Sequence, residues 1–157
     1  MLAYKFNNKK VNWAEPVYIQ PKLDGVRCLI TKDGAYSRTG KQFKNLAHIE
    51  LALIPFFKRH PNIVLDGELY NHKLRNDFEK IISLVRKQKP TADDRLDAQH
   101  LVQFHCYDWF FPNDKYNLVY KYRRLNTCKQ TEYIIMMMQN CFTLICLIKA
   151  TKVVLSD

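Results

Sequence analysis

The sequence predicts an α+β domain in which antiparallel strands carry helices on their flanks. Three observations lead there. An Asp33-Gly34 pair, the strongest short hairpin signal, separates the β-rich run Val26–Thr31 from a return strand at 35–38. In 101–107, Val102, Phe104 and Cys106 alternate with Gln103, His105 and Tyr107, as in a half-buried strand. Phe78, Ile81, Ile82 and Val85 recur at i, i+3, i+4 and i+7, the period of a helix with one apolar face. At 157 residues the chain suits one domain with enough length to bury a core.

The remaining elements follow in order. Residues 1–15 are polar and basic, with Tyr4, Phe6 and Trp13 scattered through them, and read as an arm on the core. A short strand at 17–20 leads into the first motif, and Thr39, Gly40 and Lys41 make the turn after the hairpin. Asn45 is expected to cap a helix through Ile49, Leu53 and Ile54, which Pro55 would kink or end. The apolar run Ile63, Val64, Leu65 is a buried strand. Asp77 caps the second helix. The polar stretch 87–98, with Pro90, reads as a surface loop. A basic helix is expected over 116–127, buried helix then strand over 133–148, and a last strand over 152–155. There is no internal repeat or low-complexity tract.

Charge narrows the partners. A net charge of +10 favours a polyanion such as nucleic acid or a nucleotide. The five cysteines, Cys28, Cys106, Cys128, Cys141 and Cys146, are odd in number and form no C-x-x-C, which argues against a disulfide framework or zinc knuckle and fits a reducing compartment. The N-terminus lacks the apolar region of a secretory signal. Apolar stretch 133–148 falls short of the roughly 20 residues of a bilayer span. No G-x-x-x-x-G-K-[ST] run is present, so a Walker-type ATPase is not indicated, and the histidines show no metal-ligand spacing.

The densest chemistry lies in Gln20-Pro21-Lys22-Leu23-Asp24-Gly25-Val26-Arg27. Lys22 is a nucleophile once deprotonated, and a free lysine titrates near 10.4, so burial or nearby cations must lower that value. Asp24 can orient the amine or hold a metal-bound water. Gly25 is expected to let the backbone turn beside a ligand at φ values other residues avoid. Arg27 offers a rigid fork for phosphate or carboxylate. Further on, Ser37-Arg38-Thr39-Gly40 puts a second arginine at a hairpin end. Leu65-Asp66-Gly67-Glu68-Leu69 holds two carboxylates at the end of a buried strand, suited to a ribose hydroxyl or a hydrated metal ion. Tyr107-Asp108 ends the alternating strand, with Tyr107 on the side of Gln103 and His105 if the strand is regular.

These pieces resemble, in order, the motifs of the covalent nucleotidyltransferases: ATP-dependent DNA ligases, RNA ligases and mRNA capping enzymes. K-x-D-G-x-R matches the nucleophile motif, and D-G-E-L matches the third motif. The resemblance is to the adenylation domain of an ATP-dependent DNA ligase, of ATP-grasp-like fold. It implies that Lys22 is the catalytic nucleophile and that Gln20, Lys22, Arg27, Glu68 and Tyr107 bind the nucleotide, Gln20 at the adenine edge and Tyr107 stacked on the purine. It implies that Arg38 contacts the 5′-phosphate of a nick, and that Asp24, Asp66 and Glu68 face a metal. ATP and Mg2+ are the implied cofactors, and nicked duplex DNA the implied partner of a monomer with no membrane role. The implied setting is the cytoplasm of a bacterial or phage-infected cell, in DNA repair, replication or recombination. The fourth motif, the fifth motif and the OB domain have no counterpart, so 1–157 is expected to be a partial adenylation domain, weakly active or inactive alone. The alternatives are an RNA ligase, a GTP-using capping enzyme, or a non-catalytic basic fragment that binds nucleic acid.

Overall fold

The computed structural model describes residues 22–112, together with the backbone of three short strands at 17–19, 144–146 and 151–153. The strands are β1 (Val17–Ile19), β2 (Val26–Thr31), β3 (Gly34–Tyr36), β4 (Val64–Tyr70), β5 (Gln103–Phe110), β6 (Leu144–Cys146) and β7 (Thr151–Val153). The helices are α1 (Ala47–Arg59), α2 (Phe78–Val85) and α3 (Ala92–Leu101). The main sheet has the order β3-β2-β4-β5-β6. Its first four strands are antiparallel, and β6 joins β5 in parallel. β1 and β7 form a separate antiparallel pair. This is the α+β architecture that the alternation and helical periods predict.

The register sorts the side chains onto two faces. Cys28, Gly67 and Cys106 lie opposite one another across β2, β4 and β5, as do Val26, Leu69 and Phe104. That face is the core. Ile49, Leu53, Phe56 and Phe57 of α1, Ile81, Leu84 and Val85 of α2, and Ala98 of α3 belong to the same apolar cluster. Burying a side chain such as Leu69 or Phe104 contributes roughly 1.5–3 kcal/mol, so this cluster is what holds the sheet to its helices. The opposite face carries Arg27, Asp66, Glu68, His105 and Asp108.

Several expectations are corrected. Asn45 does not cap α1. Leu46 holds that position without a side-chain bond, and Asn45 is buried, its amide donating to the carbonyls of Leu84 (3.0 Å) and Asp94 (3.1 Å). It thereby ties the start of α1 to the end of α2 and the start of α3. Helix α1 also runs through Pro55, which has no N–H to donate but is exposed, so water can satisfy the carbonyl left without a partner. The stretch 87–98 is no plain loop. Thr91 closes a capping box with Asp94 and starts α3. The hairpin turn is Lys32 and Asp33, with Gly34 at φ 134° opening β3, one residue earlier than the Asp-Gly pair suggested.

Other expectations hold. Asp77 caps α2, accepting from the Lys80 N–H at 3.2 Å. The turn after β3 closes through Gly40 N–H to Ser37 O at 2.9 Å, with Gly40 at φ 81°. Strand β6 falls within the stretch 133–148 expected to end in a strand, and β7 overlaps the last strand expected over 152–155. The N-terminal arm, the basic helix at 116–127 and the helical part of 133–148 lie outside the described residues. Among the described residues no helix is long and apolar enough to cross a membrane.

Candidate functional site

The site is built on the polar face, where β2 meets β4. Gly25 opens β2 and lies hard against the end of β4. A Cβ there would stand 2.4 Å from the Leu69 carbonyl oxygen and 2.8 Å from Glu68 Cγ. Only glycine allows this approach. Positive φ is confined to Gly34 and Gly40 among the described residues, so the reason for Gly25 is space and not the backbone angle expected from the sequence. The approach has a chemical result: the Gly25 backbone N–H comes near enough to the Glu68 carboxylate to help lower its pKa. The first and third motifs are thus joined directly.

Arg27 and Asp66 form the central pair. They are diagonal neighbours across the β2–β4 ladder, within reach of a long side chain. Arg27 Nε donates to Asp66 Oδ1 at 2.9 Å, and a terminal nitrogen donates to Oδ2 at 2.5 Å. Such a fork is the strong form of a charge-assisted bond. The Asp66 side chain is 7% exposed and that of Arg27 27%. This bond, and then the Asp66 charge, hold the guanidinium above its usual pKa against the lowering effect of burial.

Tyr107 lies within electrostatic range of the same carboxylate. Asp66 pairs with Asp108 and Gly67 with Cys106, so Tyr107 is an extra residue, a β-bulge on β5. The bulge keeps Tyr107 near Asp66 and Arg27, brings Asp108 opposite Asp66, and turns Trp109 against the core. Burial raises the Tyr107 phenol well above its usual value. The Asp66 and Glu68 charges add to this, while the Arg27 charge opposes it.

Glu68 lies opposite Arg27 on one side and His105 on the other. Burial lifts its pKa from 4.5 to about 7, with Asp66 adding to the rise. Arg27, the Gly25 N–H and Lys22 pull it down. Lys22 is therefore within electrostatic range of Glu68. The Lys22 side chain is 84% exposed, its amine 3.7 Å from Asp24 Oδ1, and the Asp24 side chain is 81% exposed. His105 is buried, which depresses its imidazole to about 4 and keeps it neutral at pH 7. Its Nε2 is 3.1 Å from Gln103 Oε1.

The raised Glu68 value makes a testable statement about stability. Its folded value exceeds the unfolded one, so the native chain binds the proton more tightly. The associated stability is complete below about 4.5 and is lost as pH rises through about 7. Glu68→Gln should remove that loss. Relative to the parent, the variant should be more stable at pH 8 than at pH 5 by roughly 1–2 kcal/mol, after allowing for solvent screening of a half-exposed group. Thermal melts of both chains at the two pH values measure it, and an unchanged difference would show that Glu68 titrates normally.

The structure thus brings Lys22, Arg27, Asp66, Glu68 and Tyr107 together. Arg38 stands exposed on the turn after β3, where no contact among the described residues ties it to this group. Gln20 lies outside the described residues. The expected metal set is not assembled. Asp66 gives both oxygens to Arg27, Asp24 is out at the exposed tip, and no group of three His, Cys, Asp or Glu among the described residues could hold an ion. Asp66 is the partner of Arg27. Sequence reasoning missed that pairing and the placement of Asp108 opposite Asp66, because strand register and the bulge have no local signature.

The donor set fits a nucleotide: a ring face for a base, a carboxylate for a ribose hydroxyl, and cations for phosphate. Comparison with known proteins agrees. The model of the ATP dependent DNA ligase domain family matches residues 1–142. The chain belongs to this family. A solved Lig E DNA ligase, from a structure–function study of DNA binding with a minimal scaffold, is 22% identical and superposes with a TM-score of 0.62 over 99% of this chain and 51% of its own. Two further structures, Pmar-Lig_Pre and Pmar-Lig_PreS3, are each 26% identical, with TM-scores of 0.56 over 81% of this chain and 29% of theirs. No curated protein matches. This ligase domain therefore spans about half the length of the Lig E structure and less than a third of the other two.

Proposed function

We propose that this chain is the nucleotide-binding part of an ATP-dependent DNA ligase, with Lys22 as the nucleophile. One observation carries the reading. The Lys22 amine lies within range of a half-buried Glu68, and Glu68 in turn shares its surroundings with Arg27 and Tyr107. An amine, a sugar-binding carboxylate, a cation and an aromatic ring are what lysine adenylation requires in one place.

The chemistry follows from that set. The Lys22 amine, having lost its proton, attacks the α-phosphorus of ATP. The N–P bond forms as the bond to the β-phosphate oxygen breaks, and pyrophosphate leaves. AMP then passes to the 5′-phosphate of a DNA nick, and the 3′-hydroxyl displaces it to form the phosphodiester. Glu68 accepts from the ribose hydroxyls. Arg27 counters negative charge, and Tyr107 stacks on the adenine, with Gln20 reading its edge. Arg38 meets the nick phosphate when duplex DNA covers the turn after β3. Magnesium would be carried by the phosphates of ATP, the usual mode for this ion, where it would neutralise charge, and Glu68 is the carboxylate that would face it. The excess of positive charge serves the DNA backbone, so binding should weaken as salt rises.

The chain is proposed to be a partial adenylation domain acting as a monomer. The fourth- and fifth-motif residues that would complete α-phosphate binding have no counterpart in the sequence. Incubation with ATP labelled at the α-phosphate tests the reading. With those motifs appended, an acid-labile, base-stable protein–AMP bond is expected. The chain alone should label near background. Label from GTP in place of ATP would move the protein to the capping enzymes, and preference for nicked RNA would move it to the RNA ligases.

A further inference from the structure

We propose that Ser37 is a positioning residue for the DNA step: its hydroxyl and its backbone fix the turn 37–41, so that the two cations of that turn, Arg38 and Lys41, are held ready for the phosphates of a nick. The inference rests on the reading of Arg38 as the contact to the nick phosphate and deepens it.

The turn is exposed, yet closely tied. The Ser37 N–H donates to the Lys41 carbonyl at 2.8 Å, and the Gly40 N–H to the Ser37 carbonyl at 2.9 Å. The Ser37 hydroxyl accepts from the Lys41 N–H at 3.1 Å. A hydroxyl has one proton and two lone pairs, so Ser37 Oγ also bonds Thr39 Oγ1, 3.1 Å away. Ser37 thus holds Lys41 by both its N–H and its carbonyl. The base of the turn is anchored too. Tyr36 bridges Gln42, the Phe43 N–H donates to the Ala35 carbonyl at 2.9 Å, and the Ala35 N–H donates to Glu50 Oε1 of α1 at 3.0 Å. Ala35 and Phe43 are both buried. What the turn leaves free is charge. Arg38 and Lys41 are exposed, and no acidic residue occurs between Asp33 and Glu50 to neutralise them. A hydrogen bond to an ionised group is roughly twice as strong as a neutral one, so a phosphate is the fitting partner. A turn already closed spares binding the entropy of ordering it. Gly40 completes the device. It stands at φ 81°, with open space where a Cβ would go, so a side chain there strains the backbone and nothing else.

The test has two arms, both on the 157-residue chain. In the first, with no DNA, exchange of the Lys41 amide proton is followed by NMR. The parent should protect it, and Ser37→Ala, which removes its acceptor, should speed exchange by roughly three- to tenfold. Ser37→Thr keeps a hydroxyl and should restore the protection. Exchange in the parent as fast as in an unstructured peptide would overturn the role of Ser37 in the turn. In the second arm, dissociation constants are measured at one salt concentration for duplexes nicked with a 5′-phosphate or with a 5′-hydroxyl. The parent should prefer the phosphate by roughly tenfold, and Arg38→Ala should abolish the preference. Ser37→Ala and Gly40→Ala should each cut it to roughly two- to threefold, although both leave Arg38 in place, and Ser37→Thr should keep it. A full preference in Ser37→Ala would sink the proposal. So would an equal weakening on both duplexes, the mark of a residue that serves stability alone. A parent without preference would defeat the nick reading of Arg38 and with it the DNA role of Ser37, while Lys41 exchange would still decide whether Ser37 holds the turn.

Discussion

Lys22→Ala should leave a ligase domain completed with the fourth and fifth motifs unable to take up AMP from labelled ATP. The side chain removed is the amine within range of Glu68 and 3.7 Å from Asp24, at the mouth of the polar face. Without it, no nucleophile stands at that place, and the label should fall to background. Lys22→Arg should fail equally. A guanidinium keeps its proton at any working pH and has no lone pair to offer, even though its charge is retained. The pair of variants therefore separates charge from nucleophilicity. Gel autoradiography after incubation with ATP and magnesium reads the outcome. Each group that stabilises transition-state charge is worth roughly 10²–10³ in rate, so the 157-residue chain lacking several of them should also label near background. Label that survives Lys22→Ala would overturn Lys22 as nucleophile.

The second large effect is on folding. Gly67 lies between Asp66 and Glu68, the two carboxylates of the site, but its missing side chain points to the core. A Cβ there would stand 2.5 Å from the His105 carbonyl oxygen and 2.6 and 2.7 Å from the ring of Phe104. The oxygen belongs to the neighbouring strand, and Phe104 is fully buried. Neither can yield without moving β5. Gly67→Ala should therefore destabilise the domain by about 3 kcal/mol, the upper end of ordinary overpacking. For a domain of this size that is a drop on the order of 10 °C in Tm. It should also disturb the site, because moving β5 moves Tyr107 from Asp66. A combined measurement of Tm and ATP affinity checks both. A variant as stable as the parent would mean that the β4–β5 contact is looser than the register implies.

Much of this was legible in local sequence. The hairpin after Val26–Thr31, the Asp77 cap, the buried strand into Asp66-Gly67-Glu68 and the aromatic at Tyr107 each announce themselves within a few residues. What was not legible depends on partners distant in sequence. Asn45 has the chemistry of a cap, yet it bonds to carbonyls 39 and 49 residues away. Arg27 and Asp66 are 39 residues apart and meet only because β2 and β4 pair in one register. The bulge at Tyr107 adjusts a ladder between two strands and leaves no mark in either alone. Helix α3 hid for another reason. Its one buried residue is Ala98, so it shows no apolar stripe, and the signal was the Thr91–Asp94 capping box. The glycines of the two motifs were recognisable as glycines, but Gly25 is needed for close packing rather than for an unusual backbone angle.

The central claim is that one polar face, set by Gly25, Arg27, Asp66, Glu68 and Tyr107, receives the nucleotide beside Lys22. Titrating ATP into the isotope-labelled chain and following amide signals by NMR tests it most directly, since it needs binding but no turnover. The signals of Gly25, Glu68 and Tyr107 should move together along one saturation curve, and GTP should move them less. Signals that move only on the helical side, around the exposed Leu51 and Ile54 of α1, or no movement at saturating ATP, would contradict it.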